Sequence, residues 1–251
     1  MQGAFSYATD FNQDIGAWNV ARATNMFSLF RQAVNFDQDL SRWQSTLDHF
    51  FKFRPSRKIM KSSFSSIFVP SRPPLSSLFS AVSEVTNIRY MFHGAKKYNH
   101  DVGTWDVSRV ENMDGVFYTA TLFNQPGVSN WTTCKCKDMS FMFAYAKAFN
   151  QDLSGWDGQW LGILSPVVTS LTHSPCLISS PFVPSPSLSL SVSSVEDMRY
   201  MFNGAASFDQ ELRGWNVSSV INMEGMFYAA KLFDRDITNW EGACVGGWVG
   251  E

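Results

Sequence analysis

The stretch Val195–Trp240, VEDMRYMFNGAASFDQELRGWNVSSVINMEGMFYAAKLFDRDITNW, states one pattern twice. Met198, Phe202, Phe208 and Trp215 recur as Met223, Phe227, Phe233 and Trp240, each pair 25 residues apart. A period between about 20 and 50 residues marks a stacked repeat array, in which no single unit can bury its own apolar side. The reading of the whole chain follows from the phase of this repeat.

Tryptophan carries that phase outward, at Trp18, Trp43, Trp105, Trp131, Trp156, Trp215 and Trp240. Three intervals are 25 residues and one is 26, the extra residue lying beside Pro126–Gly127. The remaining two are 62 (Trp43 to Trp105) and 59 (Trp156 to Trp215), one repeat plus an insertion each. The chain therefore divides into repeats 1–2 (residues 1–44), an insertion (45–81), repeats 3–5 (82–157), a second insertion (158–191), repeats 6–7 (192–240) and a tail (241–251). Both insertions contain tracts of little but Ser, Pro, Leu and Phe, residues whose codons can be all pyrimidine, and both enter at one phase, before a V-S-x-V. Two readings stand side by side: translated introns, or disordered surface loops. The basic cluster Lys52, Arg54, Arg57, Lys58 and Lys61 belongs to the first insertion. The first residues match the middle of a repeat, Met1, Phe5, Phe11 and Trp18 against Met223, Phe227, Phe233 and Trp240, so a piece of a longer protein is expected.

Within a repeat, Val110, Met113, Val116, Phe117 and Ala120 form one apolar stripe, which predicts a short helix with Ser108 as its N-cap. Val102-x-x-Trp105-x-Val107 predicts a short strand. The F-[ND]-Q-[DE] segment, as in Phe149–Asp152, suits a turn whose polar side chains bond the local backbone. The fold expected is thus α/β: a leucine-rich-repeat-like solenoid of about seven 25-residue strand–turn–helix coils, interrupted by two Ser/Pro-rich insertions.

The phrase M-x-x-M-F-x-x-A-x-x-F-N-Q-D-[IL]-x-x-W-[DN]-V-S-x-V resembles the repeat of BspA-like leucine-rich-repeat surface proteins, found also in mycoplasma surface lipoproteins as a domain of unknown function. The resemblance spans all seven repeats and departs from the pattern at His100, Arg235, Pro126–Gly127 and Cys136. It implies a surface-attached or extracellular solenoid, in some members adhesive, and brings no catalytic residues.

Composition narrows the chemistry. A net charge of −2 makes no case for nucleic acid or an anionic membrane, and no apolar run reaches the roughly 18–20 residues of a membrane helix. Four cysteines, with Cys134 and Cys136 as a lone C-x-C, do not make a disulfide framework or a strong zinc site. The acidic column Asp14, Asp39, Asp101, Asp152, Glu211 and Asp236 reads as turn residues; calcium at Asp152 and Glu211, or an acid/base pair, are the alternatives. Asn130-Trp131-Thr132 and Asn216-Val217-Ser218 match the N-glycosylation sequon. The function expected is non-catalytic binding of a protein or glycan, without a cofactor, through polar residues beside the tryptophans: Thr104, Asp106, Arg213 and Asn216. A passive spacer in a cell-surface protein is the runner-up, and a carboxylate-bearing solenoid hydrolase a distant third.

Overall fold

A computed structural model describes residues 1–44, 84–157 and 194–240. Both insertions and the tail lie outside the described residues, as do His49, His173, Cys176 and Cys244. The described residues form seven coils: 1–24, 25–44, 84–111, 112–137, 138–157, 194–221 and 222–240. Parallel single-residue bridges run Asn25–Asn87–Asn112–Asp138–Asp197–Asn222, one per coil from the second onward.

The strand–helix coil expected from the sequence is not there. Among the described residues the regular elements are short 3-10 turns at Ser41–Gln44, Pro126–Asn130 and Ser154–Asp157, with no α-helix and no sheet. The α/β leucine-rich-repeat-like assignment is therefore wrong. Coil 2 shows why. Ser28 and Gln32 hold φ at 54° and 58°, and such left-handed residues end a right-handed helix. The run folds instead as overlapping turns, with N–H donations from Leu29 to Met26 O, Arg31 to Ser28 O and Ala33 to Phe30 O (3.2, 3.1 and 3.0 Å). The intervening amides of Met26, Ser28, Phe30 and Gln32 donate to Asn87, Arg89, Met91 and His93 of the next coil at 2.6–2.9 Å. Every coil repeats this pair of left-handed residues four positions apart, from Gly3 and Tyr7 to Gly225 and Ala229. Three-residue turns place i, i+3, i+4 and i+7 on one side much as a helix does. Met26, Leu29, Phe30, Ala33 and Phe36 are all fully buried as the stripe requires.

The expected strand is a pair of turns as well: Trp105 N donates to Val102 O at 3.1 Å and Val110 N to Val107 O at 2.9 Å. Ser108 caps no helix; its own N–H donates to Asp106 Oδ1 at 3.0 Å.

The core is a set of columns. Phe5, Phe30, Phe92, Phe117, Phe143, Phe202 and Phe227 stack coil on coil with centroids 5.6–5.8 Å apart. A second column runs through Phe11, Phe36, Tyr98, Phe123, Phe149, Phe208 and Phe233. Among the described residues, each tryptophan from Trp43 onward donates its indole N–H to a carbonyl of the preceding coil, as Trp131 does to Val102 O (3.0 Å) and Trp156 to Val128 O (2.9 Å). Beyond burial, each ring stack contributes about 0.5–1.5 kcal/mol. None of this exists inside a lone coil, so the coils must stand together.

The columns do not register the insertions. Trp43 stacks on Trp105 at 6.5 Å and Trp156 on Trp215 at 6.2 Å, beside 6.1 Å for the uninterrupted pair Trp215 and Trp240.

The F-[ND]-Q-[DE] segment works mainly between coils. Asn150 Oδ1 accepts from Asp209 N (2.9 Å) and from Gln210 Nε2 (2.8 Å), and Asn150 N donates in turn to Asn124 Oδ1 (2.9 Å). The two residues that depart from glutamine keep the rung: His100 Nε2 lies 3.1 Å from Asp37 O, and Arg235 grips Asp209 Oδ2 at 2.7 Å.

Candidate functional site

The left-handed residues decide what faces outward. The positive-φ positions fall off the apolar stripe, and those positions and their neighbours carry aromatic rings. Of the seven tyrosines, Tyr98 alone is in the core. Tyr7, Tyr90, Tyr118, Tyr145, Tyr200 and Tyr228 all lie within the turn runs, and Tyr7, Tyr90, Tyr145 and Tyr200 hold positive φ themselves.

Their contacts link one face along the stack. Arg31 lies over Tyr7 and Tyr90 (5.6 and 5.4 Å to the ring centroids). From Tyr90 the ladder passes to His93 (5.5 Å), Tyr118 (4.6 Å) and Phe141 (5.9 Å), then to Tyr200 (5.1 Å). Tyr145 joins it from Tyr118 at 6.0 Å. Glycines make room for the leaning rings. A Cβ on Gly115 would stand 2.4 Å from Tyr90, and one on Gly225 2.3 Å from Tyr200. At both, the positive φ also favours a residue without a side chain.

The polar groups of this face concentrate at coils 2 to 4. Arg89 Nε sits 2.6 Å from Asp114 Oδ2, whose side chain is buried, and Arg89 also lies over the Tyr90 ring at 4.6 Å. Burial raises the Asp114 carboxyl above its usual range, against the pull of Arg89. His93 faces Gln32 Nε2 through its own Nε2 at 3.3 Å. Burial first, and the Arg31 charge second, hold His93 down to about 4, so it is neutral at pH 7. Ser28 Oγ, Arg31 Nε, His93 Nδ1 and Asp114 Oδ1 are buried atoms without a hydrogen-bond partner. Such atoms are costly in a fold that needs no chemistry there.

The residues singled out from sequence are placed differently. Asp106 and Asn216 use Oδ1 to accept the N–H of Ser108 and Ser218, at 3.0 and 3.1 Å, so both are turn residues. Arg213 is exposed, 3.9 Å from Asp236, and Thr104 is exposed beside Trp105. In the acidic column, Asp14, Asp39, Asp101, Asp152 and Asp236 each accept a backbone N–H two residues on, at 2.8–2.9 Å. Glu211 meets Arg235 at 3.2 Å instead. Among the described residues no three His, Cys, Asp or Glu side chains gather where an ion could sit. Cys134 is disulfide-bonded, whereas Cys136 is free, and burial pushes its thiol up to about 12. Asn130 and Thr132 are exposed on either side of buried Trp131. No helix among the described residues is long and apolar enough to cross a membrane.

The tyrosine face was missed by sequence reasoning, although a signal existed. Tyrosine falls six times in the turn runs at places off the apolar stripe, where a solvated helix would favour charge.

A family model described as "Mycoplasma protein of unknown function, DUF285" matches three times, over residues 1–54, 58–170 and 186–246. Among curated proteins and among solved structures, nothing matches. The match supports a tandem-repeat family of unknown function; the BspA-like leucine-rich-repeat part of the resemblance is not carried by it.

Proposed function

The chain belongs to this tandem-repeat family, described as Mycoplasma protein of unknown function, DUF285, and within it we propose a non-catalytic protein that binds other macromolecules through the tyrosine face. The observation that carries the reading is that Tyr7, Tyr90, Tyr118, Tyr145 and Tyr200, with Arg31 and Arg89, are linked by contacts along the stack, while Tyr228 and Arg199 stand at the repeat positions of Tyr118 and Arg89. Tyrosine and arginine are the residues that dominate binding energy at protein surfaces, because each offers a large contact area and a polar end. Repetition adds to this: weak contacts made once per coil sum along the stack. The residues beside the tryptophans would then serve as a rim, and surface display of the protein belongs to the same proposal.

The test is capture of partners on immobilised chain, repeated with Tyr145→Ser/Tyr228→Ser, two rings that are 40% and 53% exposed. Binding that drops at least tenfold supports the face, provided Thr104→Ala/Arg213→Ala leaves it intact. The opposite pattern moves the site to the tryptophan edge. A wild-type chain that retains nothing selectively is a spacer.

A further inference from the structure

We propose that Arg31 is the seat for a carboxylate of an extended acidic protein segment laid along the tyrosine face, an inference that rests on the reading above. The other arginines of this face already hold acids: Arg89 meets Asp114 at 2.6 Å and Arg199 meets Asp197 at 3.3 Å. Arg31 has no carboxylate partner among the described residues. Its guanidinium is nevertheless held in place by the rings of Tyr7 and Tyr90, whose centroids lie 5.6 and 5.4 Å from it. A planar fork fixed in advance loses little freedom when it takes a carboxylate in two parallel hydrogen bonds.

Among the described residues, the charge of Arg31 is left without a counter-ion there. His93 beside it is neutral, and Asp114 is engaged by Arg89, so this part of the face carries the charges of Arg31 and Arg89 against Asp114 alone. A partner's acid would relieve the excess. A segment running along the stack would meet Tyr7 in coil 1, Arg31 in coil 2, Tyr90 in coil 3, Tyr118 in coil 4, then Phe141 and Tyr145 in coil 5.

Ring geometry favours a polypeptide over a sugar chain. A glycan needs open, flat ring faces, but Arg31 already lies over one face of Tyr7, and Tyr90 is met by both Arg31 and Arg89. The neighbouring pairs are tilted, Phe27 to Tyr90 by 55° and Tyr118 to Phe141 by 49°, so they offer a sugar ring no continuous flat surface.

The experiment titrates the whole chain, by calorimetry, with a random glutamate–tyrosine copolymer and with polygalacturonate. The expected result is binding of the copolymer that weakens with salt and falls at least tenfold in Arg31→Gln, with Arg31→Lys in between. Arg42→Gln, an exposed arginine of the same coil without an ion pair among the described residues, binds as wild type. Thermal unfolding of each variant confirms that it is folded. Copolymer binding unchanged in Arg31→Gln overturns the proposal, as does no copolymer binding at all. Polygalacturonate bound more tightly, with the same dependence on Arg31, makes the seat a glycan site and overturns it too. If Tyr145→Ser/Tyr228→Ser weakens the copolymer while Arg31→Gln does not, the face stands and only the carboxylate seat falls.

Discussion

Replacing Asn150 by leucine should uncouple the last two coils, whereas aspartate in the same place should not. Asn150 sits on the side of coil 5 that faces coil 6, where the polypeptide does not pass directly from one coil to the next. Its Oδ1 accepts Asp209 N at 2.9 Å and Gln210 Nε2 at 2.8 Å. Leucine has nearly the same size and no acceptor, so both bonds are lost at roughly 1 kcal/mol each. Gln210 is partly exposed and can turn to water; Asp209 N–H is partly buried, which adds toward the cost of an unmet donor. The sum is about 2–3 kcal/mol. Aspartate keeps the acceptor, and the chain already uses it there: Asp37 Oδ1 accepts Asn99 N at 3.3 Å, and Asp209 Oδ1 accepts Asp234 N at 3.5 Å. Asn150→Asp should therefore stay within about 1 kcal/mol of wild type. Urea unfolding followed by tryptophan fluorescence measures both, and amide exchange in residues 194–240 shows where the loss falls. Leucine within about 0.5 kcal/mol of wild type, or aspartate as damaging as leucine, would refute the side-chain ladder as a source of cohesion.

Four further outcomes follow from other parts of the stack. Deleting residues 44–80 and 157–190 restores the spacing of Trp105–Asn112 at both junctions, and shortening the first link from 62 to 25 residues should stabilise by about 0.8 kcal/mol; loss of cooperative thermal unfolding would contradict the continuous register. Tyr98→Phe removes a fully buried hydroxyl without a partner, at a position that is phenylalanine in every other coil, and should raise stability by about 1–2 kcal/mol in urea. Gly115→Ala sets a methyl 2.4 Å from Tyr90 at a φ of 58°, so it should cost at least about 1–2 kcal/mol; adding Tyr90→Ala should return the part due to the clash, and a double-mutant cycle without coupling would disprove that contact. His93 is held at about 4 against an ordinary 6.5, so the unfolded chain takes up the proton first. Stability from neutral His93 is complete above pH 6.5 and is lost as pH falls toward 4; Tm should fall further over that range in wild type than in His93→Gln, and equal falls would count against it.

Burial was readable in the sequence and backbone conformation was not. Met113, Val116, Phe117 and Ala120 are the core of their coil, as the stripe demanded. The same stripe suggested a helix because a 3.6-residue period and a chain of three-residue turns sample nearly the same positions. What separates them is the left-handed pair, and the sequence half discloses it: Gly115 and Gly225 occupy one of its places, Gly94 and Gly204 the other. Tyr90, Phe141 and Tyr200 fill the same places, and positive φ for bulky residues is not something local preference would suggest. Coil-to-coil bonding compensates it. The acidic column was legible for the same reason the face was not. An Asx turn is a local matter set by a residue and the amide two places on, whereas the tyrosine ladder exists only once coils are stacked.

The placement of the bonds also sets how such a stack would answer a pull on its two ends. Each junction is a small patch of bonds arranged around the axis, so tension opens one coil at a time by peeling. A freed 25-residue coil lengthens the chain by about 80–90 Å at full extension. A force–extension trace would show short steps, one for each freed coil, the signature of a tether that yields gradually.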